Sequence, residues 1–148
     1  MAQVGTQTKQ FVTMRIDGQL FGVAVTIVED VLRPQRMTKA PLSPNIVVGS
    51  INLRGCIVTV VSVRTCLGLP SSGSDDYMLV VVQHEGVSYS LKVDAIGDVL
   101  TLPIDDFEKN PSNLSEAWRN VSMGVYRLDG ELLVVLDIEK LLDIKKKG

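Results

Sequence analysis

The chain repeats itself, and that repeat constrains its architecture more than any other feature of the sequence. Residues 11–16 (Phe-Val-Thr-Met-Arg-Ile) and 20–25 (Leu-Phe-Gly-Val-Ala-Val) flank Asp17-Gly18, a tight-turn dipeptide, and predict a β-hairpin. Residues 77–82 and 87–93 predict a second hairpin around Glu85-Gly86, with alternating polarity on its return strand. A shift of 68 residues lays one on the other: Gly18 falls on Gly86, Phe21 on Tyr89, Val23 on Leu91 and Val25 on Val93. The match continues through Asp30, Val31 and Leu32, which fall on Asp98, Val99 and Leu100. Two further segments are related by 75 residues. Residues 49–61 (Gly-Ser-Ile-Asn-Leu-Arg-Gly-Cys-Ile-Val-Thr-Val-Val) align with 124–136 (Gly-Val-Tyr-Arg-Leu-Asp-Gly-Glu-Leu-Leu-Val-Val-Leu). Each copy then enters a short amphipathic stretch, at 62–68 and 137–142, the first predicted to end at Gly68 as a helix C-terminal cap.

Each half thus offers a hairpin, a third short strand, a Pro-containing connector, a second hairpin and a helical turn. Five short strands suit a small closed barrel, which removes the edges an open sheet exposes. The connectors are residues 34–48, with Pro34, Pro41 and Pro44, and 102–123, with Pro103 and Pro111. The seven residues by which the two offsets differ fall in the connectors, where insertions are tolerated. In the second connector Leu114, Ala117, Trp118 and Val121 stand at helical spacing, behind a predicted cap at Asn113 with Glu116 three residues on. This predicts a short helix docked by Trp118. Halves of about 65 residues bury too little surface to be stable alone, so the two should share a hydrophobic seam. The expectation is one mainly β domain over residues 1–148, with lobe 1 at about 11–70 and lobe 2 at about 77–143. An exchange of strands between the lobes is left open.

Composition narrows the function. The 148 residues carry 15 basic and 17 acidic side chains, a net charge of −2, which is a poor footprint for nucleic acid. A small-barrel nucleic-acid module would also need aromatics in a basic groove. The only basic run, Lys145-Lys146-Lys147, reads as a solvated tail. The first ten residues lack an apolar signal-peptide core, and no apolar run approaches the ~20 residues of a spanning helix. Cys56 and Cys66 are too few for a disulfide scaffold. A cytoplasmic protein with no membrane insertion is expected, with both thiols reduced and buried as small hydrophobes.

Enzyme chemistry needs a constellation that the sequence does not offer. His84 is the single histidine, beside the Glu85-Gly86 turn, and reads as an exposed loop residue. Cys56 and Cys66 lack C-x-x-C spacing, and no phosphate loop, dinucleotide fingerprint or nucleophile elbow occurs. Asp75-Asp76 and Asp105-Asp106 lie in link and connector, where paired acids form solvated turns. A cavity sensor would need convergent polar residues, and none stand out. No catalytic residue, metal or cofactor is therefore expected, and function should lie in surfaces.

Residues 48–61 (Val-Gly-Ser-Ile-Asn-Leu-Arg-Gly-Cys-Ile-Val-Thr-Val-Val) resemble the G-x-x-N-L-R-G-x-I-V-P-V signature of the CheW family, the bacterial chemotaxis coupling proteins. Phe21-Gly22-Val23 resembles the family's second strand, residues 28–31 its V-x-E-[IV] strand, and residues 93–99 its V-D-x-V-x-x-V element. Residues 124–142 are similar to its closing hairpin and helix, so the resemblance spans about 11–142. It implies two SH3-like five-stranded β-barrels sharing a hydrophobic core, with short helical turns and a short C-terminal helix. It implies a non-catalytic adaptor that bridges the cytoplasmic tip of a methyl-accepting chemoreceptor to the regulatory domain of the chemotaxis histidine kinase. Such an adaptor is recruited to membrane-associated receptor arrays. Arg54 falls on the family's receptor-binding arginine, and Asn52, Leu53, Gly55, Val28 and Asp30 complete the implied receptor-binding set. A guanidinium fork suits that role, although it could instead pin its own loop. Asn52 and Gly55 are expected to shape the turn. The kinase-binding face is not identified. Thr59 stands where the family commonly has Pro, and Ser62, still able to cap the helical turn, where it commonly has Asp. These departures admit a specialised adaptor of a non-flagellar array, with pilus motility or another output. The chain reads as a stand-alone coupler, without kinase core or receiver.

Overall fold

β-Branched and alternating segments fold as strands wherever a turn dipeptide lets the chain reverse. In the computed structural model, which describes residues 7–39, 45–70 and 76–147, there are ten of them. They are β1 (Thr8–Ile16), β2 (Gln19–Ala24), β3 (Val28–Leu32), β4 (Val47–Leu53), β5 (Cys56–Ser62), β6 (Met78–His84), β7 (Val87–Val93), β8 (Ala95–Pro103), β9 (Ser122–Leu128) and β10 (Glu131–Leu136). Three α-helices accompany them: α1 (Val63–Cys66), α2 (Glu116–Arg119) and α3 (Ile138–Lys147). Pro41, Pro44 and Asp75 lie outside the described residues, as do the side chains of the Lys145–Lys147 run.

The strands form two five-stranded sheets, with orders β8-β1-β2-β10-β9 (sheet A) and β3-β6-β7-β5-β4 (sheet B). Under the two sequence offsets these orders are the same. Each sheet combines the first hairpin of one copy with the third strand and second hairpin of the other. The join is a parallel pair in both: β2 with β10 (Phe21 opposite Val134) and β5 with β7 (Val60 opposite Ser90).

Packing follows this interleaving. The main core takes Met14, Ile16, Phe21 and Val23 from sheet A and Val61, Val80, Val82, Leu91 and Val93 from sheet B, all essentially inaccessible to solvent. Smaller clusters lie in each sheet separately: Phe11, Leu20, Tyr126, Leu133 and Val135 in sheet A, and Ile51, Val58, Val60 and Leu79 in sheet B. The shared seam is thus larger than either private core, so neither sheet can bury its apolar face without the other.

The expected closed barrels are not closed. Each ladder has two ends, and a connector occupies the edge where closure would need another strand. Thr38 exchanges two 2.8 Å backbone hydrogen bonds with Ser50 of β4, and Glu108 exchanges two of 2.9 Å with Val125 of β9. Gly49 and Gly124, equivalent in the repeat, permit these crossings. A Cβ on Gly49 would collide with the Thr38 carbonyl oxygen, and one on Gly124 with Phe107 and the Glu108 carbonyl.

Two side chains and one backbone N–H tie the sheets polarly. Arg64, in α1 behind sheet B, grips Asp94 between β7 and β8 through Nε–Oδ1 (2.8 Å) and Nη2–Oδ2 (2.7 Å), and its Nη1 donates to the Pro70 carbonyl (3.0 Å). Asp94 Oδ2 also accepts the backbone N–H of Asp17, in the β1–β2 turn of sheet A, at 2.8 Å. The hydrogen-bonded Arg64 guanidinium holds the Asp94 carboxyl below the usual carboxylate range, outweighing its partial burial.

Helix caps are local. Ser62 Oγ accepts from the Thr65 N–H (3.3 Å) at the start of α1, Asp137 Oδ1 accepts from the Lys140 N–H (3.2 Å) at α3, and Gly68 adopts φ 75° just after α1. The cap of α2 is Ser115, whose Oγ accepts from the Trp118 N–H, in place of the expected Asn113. Helical geometry begins at Glu116, so only a residue directly before it can reach the free N–H groups. Trp118 docks as expected, its ring 5.4 Å from that of Phe21.

Candidate docking groove

The β4–β5 turn is built from Arg54 (φ 54°) and Gly55 (φ 87°). Two successive positive φ values are what a two-residue hairpin needs to match strand twist, and Asp17-Gly18 and Glu85-Gly86 use the same device. Arginine is an unusual choice for the first position, at a cost of about 1 kcal/mol in backbone strain. Asn52 offsets it: its Oδ1 accepts the Gly55 N–H at 2.9 Å. The turn therefore holds the Arg54 side chain out from the sheet, 78% exposed.

Beneath this turn lies a shallow groove of about 420 Å³. Its walls are Glu29 and Asp30 of β3, Leu53 and Arg54, Cys56 and Ile57 of β5, and Val87 with Ser88 of β7. The groove exists because β3 and β4 stand at opposite ends of an unclosed ladder. Arg54 spans the gap, its Nη2 3.0 Å from Asp30 Oδ2. Asp30 Oδ1 also accepts its neighbour Val31 N–H (2.8 Å), and Ser88 Oγ donates to the Glu29 carboxylate. Two apolar side chains stand uncovered at the rim: Ile57 is 72% exposed and Val87 51%. An exposed ion pair contributes at most about 1 kcal/mol, so Arg54 can exchange Asp30 for a partner's carboxylate or amide at little cost. Fork, acceptors and apolar rim together suit a protein surface.

The residues expected from sequence divide here. Arg54, Leu53 and Asp30 meet at the groove, while Asn52 and Gly55 shape its turn. Val28 does not join them: it packs partly buried against the main core, because a register shift between Val28 and Asp30 re-aims β3. Sequence reasoning missed Glu29, Ile57, Val87 and Ser88. Their signal was faint: Ile57 and Val87 read as core by alternation alone, and Glu29 and Ser88 as ordinary solvent-facing polar residues. Cys56 corrects the expectation of two buried thiols, since it is exposed at the hairpin tip, beyond reach of the core. Cys66 is buried, and burial pushes its thiol up to about 12. His84 is the last residue of β6 and its side chain is only 24% exposed, so it is not a loop residue. Among the described residues no helix is long and apolar enough to cross a membrane.

Two interleaved five-stranded sheets with an open groove at one tip describe the fold and its candidate site, and comparison with known proteins gives the family. The model of the CheW-like domain matches residues 10–146, so the chain belongs to the CheW-like family. The chemotaxis protein CheW of Thermotoga maritima is 29% identical over 145 residues, covering 97% of this chain and 95% of that protein. The probable chemotaxis protein CheW of Rhizobium etli is 26% identical over 134 residues, covering 90% and 86%. The crystal structure of scaffolding protein TtCheW from Thermoanaerobacter tengcongensis superposes with a TM-score of 0.84 at 25% identity, covering 93% and 94% of the two chains.

Proposed function

We propose that this protein is a non-catalytic chemotaxis coupling adaptor, acting in the cytoplasm within membrane-associated receptor arrays. It bridges the cytoplasmic tip of a methyl-accepting chemoreceptor to the regulatory domain of the chemotaxis histidine kinase. The groove of sheet B takes the receptor. The observation that carries this reading is the projecting Arg54 beside uncovered Ile57 and Val87, a combination suited to a helical tip presenting both carboxylates and apolar side chains. Family membership supports the wider role. Holding receptor and kinase in one assembly raises their effective concentration and lets a small receptor movement bias the kinase's conformational equilibrium.

The test is a pull-down with the receptor signalling fragment and the kinase, comparing wild type with Arg54→Glu. Wild type captures both. The variant keeps the kinase and loses the receptor by about 2 kcal/mol or more, roughly thirtyfold in Kd. Its stability changes by less than about 1 kcal/mol, since only an exposed pair is lost. Capture of neither partner by wild type overturns the reading. Receptor fragments from flagellar and pilus-type arrays, run side by side, identify the system served.

A further inference from the structure

A second cluster, separate from the polar lining of the groove, gathers residues far apart in sequence. His84 ends β6, Glu85 follows in the β6–β7 turn, and Glu139 sits in the first turn of α3. His84 Nε2 and Glu85 Oε1 are 3.9 Å apart, and the ligand atoms of all three residues lie within 4.8 Å of one another. Both carboxylates are exposed, and the imidazole is half-buried. Among the described residues no lysine or arginine pairs with Glu85 or Glu139. Two carboxylates thus converge on one imidazole nitrogen, brought together from the end of β6, the turn after it and the first turn of α3.

We propose that His84, Glu85 and Glu139 form a site for a divalent transition metal, zinc above all. One imidazole nitrogen and two carboxylate oxygens are a borderline donor set, suited to zinc and poor for calcium or magnesium, which take oxygen ligands alone. In a tetrahedral zinc site the donor atoms stand about 3.4 Å apart, so these three need close by no more than about 1.5 Å. The exposed glutamates reach that by rotamer adjustment, and water supplies the fourth position. Elements of both sheets meet here: the β6–β7 hairpin belongs to sheet B, and α3 continues from β10 of sheet A. A metal would therefore cross-link the sheets and stiffen the turn whose next residues, Gly86 to Ser88, line the docking groove.

The experiment is calorimetric titration of the untagged full chain with zinc sulfate, paired with thermal melting. Wild type and Cys56→Ser bind one equivalent and melt higher with zinc. His84→Ala and Glu139→Gln bind at least about tenfold more weakly and lose the thermal shift, whereas Glu116→Gln, an exposed glutamate elsewhere, behaves as wild type. The absence of saturable binding in wild type overturns the site. So does binding that survives His84→Ala, or binding abolished by Cys56→Ser.

Discussion

At the β9–β10 turn of sheet A, Asp129-Gly130 occupies the place that Arg54-Gly55 holds at the β4–β5 turn of sheet B. The third strands also correspond, with Asp98 in β8 matching Asp30 in β3. The equivalent positions therefore hold a cation and an anion in sheet B, where they pair, and two anions in sheet A. Sheet A uses other means. Arg15 of β1 forks onto Glu131 of β10 at 2.7 and 3.1 Å, and Gln19, the counterpart of Val87, donates from its amide to the carbonyls of Leu132 and Leu20. Leu132, counterpart of the exposed Ile57, packs partly buried against the main core. One backbone plan has thus been finished in two ways: sealed by polar stitching in sheet A, left apolar and open in sheet B. The difference teaches where to look for binding in a duplicated fold, since residues shared by both copies maintain the plan and residues that diverge are available for function.

The largest effect should come from what the copies share. Gly49→Ala and Gly124→Ala each place a methyl against connector backbone and should each destabilise by about 3 kcal/mol, read from urea midpoints at constant m. A neutral result in either would break the equivalence of the two crossings.

Next is the tie between the sheets. Arg64→Ala leaves Asp94 without its fork and should cost about 2–3 kcal/mol. Because Arg64 depresses the Asp94 carboxyl, the stabilisation is complete at neutral pH and is lost as pH falls below about 4, through the lowered folded-state value. Stability of wild type and Arg64→Ala should therefore converge in acid. A difference that stays constant down to pH 2 would remove the ion pair as its cause.

The divergent residues should act on binding alone. Val87→Gln with Ile57→Ser gives sheet B a polar tip, leaves the melting temperature nearly unchanged because both residues are exposed, and weakens receptor-fragment binding about tenfold by titration. A large loss of stability would show that the rim is structural. The smallest effect is chemical: iodoacetamide should label Cys56 in the native protein and spare Cys66 until unfolding, as intact-mass analysis would reveal.

Much of this was legible in the sequence because it is local. Asp17-Gly18 and Glu85-Gly86 specify tight turns within four residues, and alternation in β1 and β7 reports which side chains face inward. The offsets of 68 and 75 revealed the duplication, and Gly49 aligned with Gly124 before any collision was visible. The partner of each strand was not legible. Period-two alternation fixes the face of a strand and is silent about its neighbour, so the parallel β2–β10 and β5–β7 joins had no sequence signature. The open tip was hidden for the same reason. Ile57 is a good core residue by chemistry, and only the unclosed ladder leaves it uncovered. Val28 lies off the groove because one register shift, invisible in composition, turns it toward the main core.

The interleaving carries a consequence for how the protein folds. Leu20 lies beside Leu133, far away in sequence, so sheet A cannot be completed until β9 and β10 reach the β1–β2 hairpin. Until then the β1–β2 hairpin has no second hairpin to receive it, and long loops must close before the shared seam rewards them. Folding should be slow and all-or-none, and two chains stalled before that join would each hold the missing hairpin of the other.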